Sequence, residues 1–200
     1  MKKIIISALF LLSFSTTAMA NFFIDINGLY MHNWTKPPNG PKVMESDGYG
    51  GGLGIGYNFR QVVNMKCLFY GGTGKMQDKP FGVVDTEIEI FGFLFGLEYV
   101  PYIPVLNDNR LLFTNSFEVG YTSCHTKFIG AISMDEGDEG VLFGLFTGFQ
   151  IVASQNIVPF FKIGWLGTKY FGKWEDSEQN QLALMIGCRF YIFPLMPVDR

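Results

Sequence analysis

The sequence predicts an all-β fold: an eight-stranded antiparallel transmembrane β-barrel, wound as an up-and-down meander, behind a cleavable signal peptide. Three observations lead there. The segment Gly48–Phe59 puts Tyr49, Gly51, Leu53, Ile55, Tyr57 and Phe59 on one face, and Gly48, Gly50, Gly52, Gly54, Gly56 and Asn58 on the other. It is a strand whose second face has almost no side chains, so its apolar face must meet something other than a thick packed core. Composition is the second. Among 200 residues there are 21 phenylalanines and 24 glycines, and only 16% are charged, against about 25% in a typical soluble domain. The third is a series of eight alternating runs whose connections are by turns long and short, the pattern of barrels with long outer loops and short periplasmic turns.

The chain begins with Lys2 and Lys3, the mostly apolar run Ile4–Phe14, and the small-residue site Ala18-Met19-Ala20. This is the layout of a secretory signal, and its apolar stretch is shorter than the roughly 20 residues of a spanning helix. Residues 1–20 are therefore expected to be removed, leaving a barrel over 21–193 and a short periplasmic extension over 194–200. Removal takes two of the fifteen basic residues and none of the eighteen acidic ones, for a net charge of −5. No lysine or arginine cluster offers an electrostatic footprint for nucleic acid. Cys67, Cys124 and Cys188 are odd in number and widely spaced, which argues against a disulfide framework. Cys67 and Cys188 fall in phase with apolar faces, leaving Cys124 as the thiol open to pairing or oxidation. No spacing suggests a metal, and no cofactor is expected.

The runs lie near 22–34, 47–59, 62–73, 86–99, 111–124, 139–153, 158–170 and 179–193. The first ends at Lys36-Pro37-Pro38-Asn39-Gly40-Pro41, a long connection. The second turns into the third within a residue or two of Arg60-Gln61, and the third ends at the polar stretch Lys75–Pro80. In the fourth, Phe91, Phe93, Phe95, Leu97 and Tyr99 face one way and Gly92, Gly96 and Glu98 the other. The turn that follows, Val100–Arg110, is long for a periplasmic one. The fifth sets Phe113, Phe117, Val119 and Tyr121 against Thr114, Ser116, Glu118 and Gly120, and leads to a long acidic connection at Ser133–Asp138. The sixth sets Val141, Phe143, Leu145, Phe149 and Ile151 against Gly144, Gly148 and Gln150. The seventh ends at the connection Gly172–Glu178. The eighth sets Leu182, Leu184, Ile186, Phe190 and Ile192 against Gln181, Gly187 and Arg189. A sheet with one apolar face, one small or polar face and no other element to cover it must close on itself in lipid, where open edges are intolerable.

The signal ending Ala18-Met19-Ala20, the eight runs and the aromatic last strand Cys188-Arg189-Phe190-Tyr191-Ile192-Phe193 resemble the small single-chain outer-membrane barrels of the OmpA/OmpX and opacity-protein kind. The resemblance implies the outer membrane of a diderm bacterium, contact with outer-membrane lipid and lipopolysaccharide, and recognition of a terminal-strand aromatic, here Phe193, by the barrel-assembly machinery.

Eight strands leave an interior that side chains just fill, or that holds one small ligand. By parity and distance from the turns, Asp25, Lys66, Glu98, Lys162, Arg189 and the neutral Gln150 occupy the lower lumen, with Glu118 near mid-height. Their six charges cancel. Strand order suggests the pairs Asp25–Arg189, Lys66–Glu98 and Lys162–Glu118, a polar plug that satisfies its own charges. Leu29, Met31, Leu68, Tyr70, Leu94, Leu142, Phe146 and Leu166 face inward above them as a greasy cup. The cup is packing, or else a pocket for a small hydrophobic ligand, in which it resembles the OmpW-type barrels credited with passing hydrophobic compounds.

The chain has two histidines, His32 and His125. Ser123 and His125, with Glu136 or Glu139, suggest a Ser/His/acid set at the outer rim. The outer-membrane lipid A deacylases are similar in size and class, but there the serine follows the histidine by two residues, whereas here it precedes it. No enzymatic role is expected. Trp34, Trp165 and Trp174 with Tyr30, Tyr49, Tyr121 and Tyr170 read as an interfacial girdle, and the expected role is structural or one of surface interaction.

Overall fold

A computed structural model describes residues 21–36, 44–59, 62–76, 83–103, 106, 110–130, 134–171 and 178–193. The signal segment, the extension after Phe193, Trp174 and most of the loop tips lie outside these residues. Eight strands run in chain order: β1 (Asn21–Lys36), β2 (Met44–Phe59), β3 (Val63–Met76), β4 (Val83–Tyr99), β5 (Leu111–Gly130), β6 (Met134–Ile151), β7 (Ile157–Phe171) and β8 (Glu178–Tyr191). Each pairs with the next in antiparallel fashion, and β1 pairs with β8 to close the barrel. Closure leaves no free sheet edge, which is the condition for crossing a bilayer with strands.

Alternation decides what each face meets. Phe22, Ile24 and Ile26 of β1, Leu53 and Ile55 of β2, Phe91 and Phe93 of β4, and Leu145 and Phe149 of β6 stand on the outer surface. Phe91 is 61% exposed and Ile186 65%. Soluble monomers rarely expose a contiguous apolar patch of more than a few hundred Å²; here the apolar surface encircles the barrel, as a lipid belt requires.

The side-chain-free inner face of β2 has a local cause. Phe23, Asp25 and Asn27 of β1 lie opposite Gly56, Gly54 and Gly52, and these glycines lie opposite Lys66, Leu68 and Tyr70 of β3 on their other flank. Each row across the wall runs large, glycine, large. A Cβ on Gly56 would sit 2.6 Å from Cε2 of Phe23, and one on Gly54 3.2 Å from the Cβ of Asp25. The glycines are the space into which neighbouring strands place their bulk.

Two features depart from the sequence expectation. The connection between β5 and β6 is not long: the ladder continues through Cys124↔Asp138, Thr126↔Glu136 and Phe128↔Met134. The last outward apolar pair there is Tyr121↔Val141, followed by Ser123↔Glu139 and His125↔Gly137. Above the lipid a strand has no reason to keep one face apolar, so its charged residues imitate a loop in sequence. By contrast, β3 and β4 part early. Their pairing ends at Gly74↔Ile88, while β3 stays on β2 to Ser46↔Met76 and β4 on β5 to Val83↔Gly130. An exposed ion pair, Lys75 Nζ to Asp85 Oδ2 at 3.3 Å, spans the gap.

Candidate functional site

The lumen has two storeys. In the lower one, Asp25 and Arg189 are in-register partners across the β1–β8 closure. Arg189 donates from Nε to Asp25 Oδ1 at 2.8 Å and from Nη2 to Oδ2 at 2.9 Å, a bidentate fork. Its guanidinium also stacks over the Phe23 ring, 3.9 Å from the centroid. Phe23, Val158 and Tyr191 form a small apolar floor beneath.

The other expected pairs are exchanged. Lys66 binds Glu118, and Lys162 binds Glu98. Register gives the reason. Lys66 lies opposite Gly96, and Gly96 lies opposite Glu118 on its other side. A Cβ at Gly96 would come within 2.9 Å of Lys66 Cε and 3.2 Å of Glu118 Cγ, so the glycine leaves the passage through which the lysine reaches a strand beyond its neighbour. Glu118 Oε1 also accepts from Ser116 Oγ at 3.3 Å.

Glu98 is freed to act as a hub. It accepts from Arg189 Nη1 at 2.7 Å, Gln150 Nε2 at 2.8 Å and Asn64 Nδ2 at 2.5 Å, as well as from Lys162. Donors from β3, β6, β7 and β8 thus meet on one carboxylate of β4, and the side chain is fully buried. Burying six ionisable groups is tolerable only because each has an opposite charge and hydrogen bonds. Asn64, which also accepts from Asn58 Nδ2 at 2.5 Å, was missed by sequence reading, and Gly96 was read only as an inward residue, without its part in this contact. Parity with Lys66 marks Asn64 as inward, whereas nothing but register marks the part of Gly96.

Leu29, Met31, Leu68, Tyr70, Leu94, Leu142, Phe146 and Leu166 are buried in the upper storey. They form one cluster with Met76, Ile88, Ile90, Phe128, Ala183 and Met185. Above it lies a small cavity of about 30 Å³, lined by Thr35, Ser46, Met76, Ile88, Cys124, Thr126, Glu136, Asp138, Tyr170 and Gln179. Two of these, Tyr170 and Thr35, were expected elsewhere. Tyr170 does not join the girdle but points inward and donates to Gln179 Oε1 at 2.5 Å. Cys124 faces the lumen, with its Sγ 3.9 Å from Thr126 Oγ1, because β5 keeps its alternation past the membrane. Thr35, just beyond the expected end of the first run near 34, is an inward residue of β1.

At the outer rim the residues of the expected Ser/His/acid set divide between the two faces of the wall. Ser123 and Glu139 are cross-strand partners and His125 lies opposite Gly137, whereas Glu136 lines the interior cavity. Glu139 is engaged by the Tyr121 hydroxyl. His32 Nδ1 lies 2.7 Å from Asp47 Oδ1, which also accepts from the Tyr30 hydroxyl at 2.8 Å. Among the described residues no three histidine, cysteine or acidic side chains gather as a metal would require.

No family model matches the sequence, and neither does any curated protein. The folded chain is similar to the crystal structure of Neisserial surface protein A, with a TM-score of 0.55 at 11% identity, covering 86% of this chain and 97% of that one. It is similar to Ail, the attachment invasion locus protein of Yersinia pestis, with a TM-score of 0.51 at 14% identity over 84% of this chain and 98% of that one. The outer membrane protein OprG of Pseudomonas aeruginosa gives 0.52 at 12% identity over 86% and 96%. At such identities the likeness is one of fold: the chain is a small eight-stranded β-barrel of the bacterial outer-membrane kind, spanning with strands.

Proposed function

We propose that this chain is a sealed outer-membrane barrel whose role is structural or one of surface interaction, with neither conduction nor catalysis. The observation that supports it is Glu98, which draws donors from four other strands onto one buried carboxylate across the lower lumen. A water-filled path would have to part these contacts and leave buried charges alone, which costs several kcal/mol per ion. The apolar belt supports a location in the outer membrane, and the long and short connections support short turns on the periplasmic side, which makes lipid and lipopolysaccharide its proposed immediate partners. Reconstituted into planar bilayers, the wild type should give no stable unitary current, while Arg189→Ala should admit intermittent conductance. Stable channels in the wild type would sink this reading.

A second reading, capture or passage of a small hydrophobic molecule in the outer half, is favoured by the early parting of β3 and β4. Met76 and Ile88 line both the interior cavity and a groove on the outer surface beside Lys75 and Glu87, so two side chains divide the lumen from the outside of the barrel there, beyond the apolar belt. Each buried methylene contributes about 0.8 kcal/mol, so binding of a normal-chain alcohol series should tighten with length. Leu142→Asp and Phe146→Asp should abolish it in variants that still fold. Affinity independent of chain length would reduce the cup to packing.

A further inference from the structure

Two residues of the lipid-facing wall break its pattern. The outward residues of β5 from Leu111 to Tyr121, and of β6 from Val141 to Ile151, are aliphatic or aromatic except for Asn115 and Thr147. These two are exposed, and they are cross-strand partners. Thr147 turns its hydroxyl back onto the wall, donating to the Thr114 carbonyl at 3.4 Å. The amide of Asn115 has two donors and an acceptor, and hydrocarbon satisfies neither kind. Both side chains are shorter than Leu145 and Ile163 beside them. The wall sinks there into a groove of about 660 Å³ that runs from Tyr99 across to Leu182.

The groove has a direction. Residues paired across the wall form a row, and the row through Tyr99, Asn115, Thr147 and Ile163, followed around the barrel, returns to β4 at Glu89, ten residues nearer the outer end. Rows therefore climb from β4 through β5, β6 and β7. Tyr99 ends β4 beside the turn that leads to β5, so Tyr99 and Asn115 lie at the periplasmic margin of the belt, while Leu145, Ile163 and Leu182 carry the groove toward its middle. A hollow that is polar at this margin and apolar above it matches a lipid whose head lies below its tails, with an aromatic hydroxyl at the interface. Lipopolysaccharide, with its head in the outer leaflet, has the opposite sense. A second copy of the chain is the less suited occupant, since a two-fold contact sets the same patch on both sides and two facing hollows leave each other unfilled.

We infer that the β5–β7 face seats one phospholipid of the periplasmic leaflet, its glycerol esters against the Asn115 amide and the Tyr99 hydroxyl and an acyl chain along Thr147, Ile163 and Leu182. This inference rests on the membrane orientation proposed above and adds a resident lipid to it. Among the described residues none that line the groove is charged, so the site selects for the ester region and the chain, not for the charge of the head.

The test titrates the refolded barrel, in a neutral sugar-headed detergent, with phosphatidylethanolamine, phosphatidylglycerol or lipid A, and counts bound lipids by native mass spectrometry. One molecule of either phospholipid should persist at collision energies that strip the others, to the same extent for both head groups. Asn115→Leu, an apolar change on the lipid face, should lower that occupancy about fivefold, the scale of one hydrogen bond. Thr147→Leu, which fills the hollow but keeps the amide, should lower it as well, whereas Cys67→Leu on β3, across the barrel, should not. A nitroxide on the lipid head should broaden the NMR signal of the Asn115 amide more than that of Leu182, and one at the chain end should do the reverse. Equal occupancy in the wild type and Asn115→Leu would overturn the inference, as would retention that follows head-group charge. A dimer that Asn115→Leu dissolves would make the groove a contact between copies and overturn the lipid assignment. Preferential retention of lipid A would overturn the phospholipid assignment and the orientation together, while the sealed lumen is judged separately by conductance.

Discussion

The two storeys of the lumen solve the same problem in opposite ways. Both are lined by inward residues of the same eight strands. The lower storey buries six charges that neutralise one another through named hydrogen bonds. The upper one buries hydrocarbon. The lower arrangement is rigid because charge-assisted bonds have narrow geometry and a broken one leaves a bare ion. The upper arrangement loses only dispersion when a side chain shifts, so room for change belongs in the outer half. Stability is concentrated where the lumen is most polar, the reverse of a soluble core.

The largest expected effect comes from removing the hub. Glu98→Ala strands Lys162 and Arg189 without their shared acceptor, and breaking a buried pair this way costs about 3–5 kcal/mol. Urea unfolding, followed by the gel shift between folded and unfolded barrel, should show the midpoint falling accordingly. An unchanged midpoint would mean the lower storey is not where stability lies.

Next, Lys66→Met should cost on the order of 3 kcal/mol by leaving Glu118 buried and unpaired, whereas Lys66→Met with Glu118→Leu should recover most of it, since apolar replacement of both partners is often neutral. The same unfolding assay, as a double-mutant cycle, measures the coupling. Additive losses would show that the two residues do not work as a pair.

Gly96→Ala should cost about 1–3 kcal/mol, the range for overpacking, because its methyl would press on both Lys66 and Glu118. Gly48→Ala, whose Cβ would find its nearest neighbour at 3.4 Å, is the control and should stay near wild type. If the two alanines behave alike, the passage across Gly96 is not needed.

In the upper storey, Tyr170→Phe deletes one hydroxyl donor to Gln179 and should cost about 1 kcal/mol. A loss as large as that at Glu98 would erase the contrast between storeys.

Much of this was legible in the chain. A period of two separates faces wherever lipid lies on one side, so Phe91–Tyr99 and Leu182–Ile192 announce their outward residues, and counting from the turns gives the level of an inward charge. Chain order also places Asp25 beside Arg189, because a closed meander must join its first strand to its last. Reach around the lumen was not legible. Glu98 lies nearest Asn64 and Ser116 by register, yet it is met by side chains from β6, β7 and β8, a matter of rotamers and of empty space over glycine. Strand length beyond the membrane was equally hidden. Thr126, Glu136 and Asp138 continue the β5–β6 ladder in water, where no solvent contrast writes a period into the sequence.

The hub also constrains the order of folding. Glu98 is bonded to Arg189, 91 residues away, and Arg189 to Asp25, 164 residues away, so neither carboxylate has its arginine until the final strand arrives. Contacts of such sequence separation are slow to form because the intervening chain must first be ordered. A sheet of seven strands would hold Asp25 and Glu98 without that counter-ion. Seating β8 supplies it to both carboxylates in one step, so zipping the seam and neutralising the interior become a single cooperative event, and a barrel closed in the wrong register would carry the mismatch in its centre.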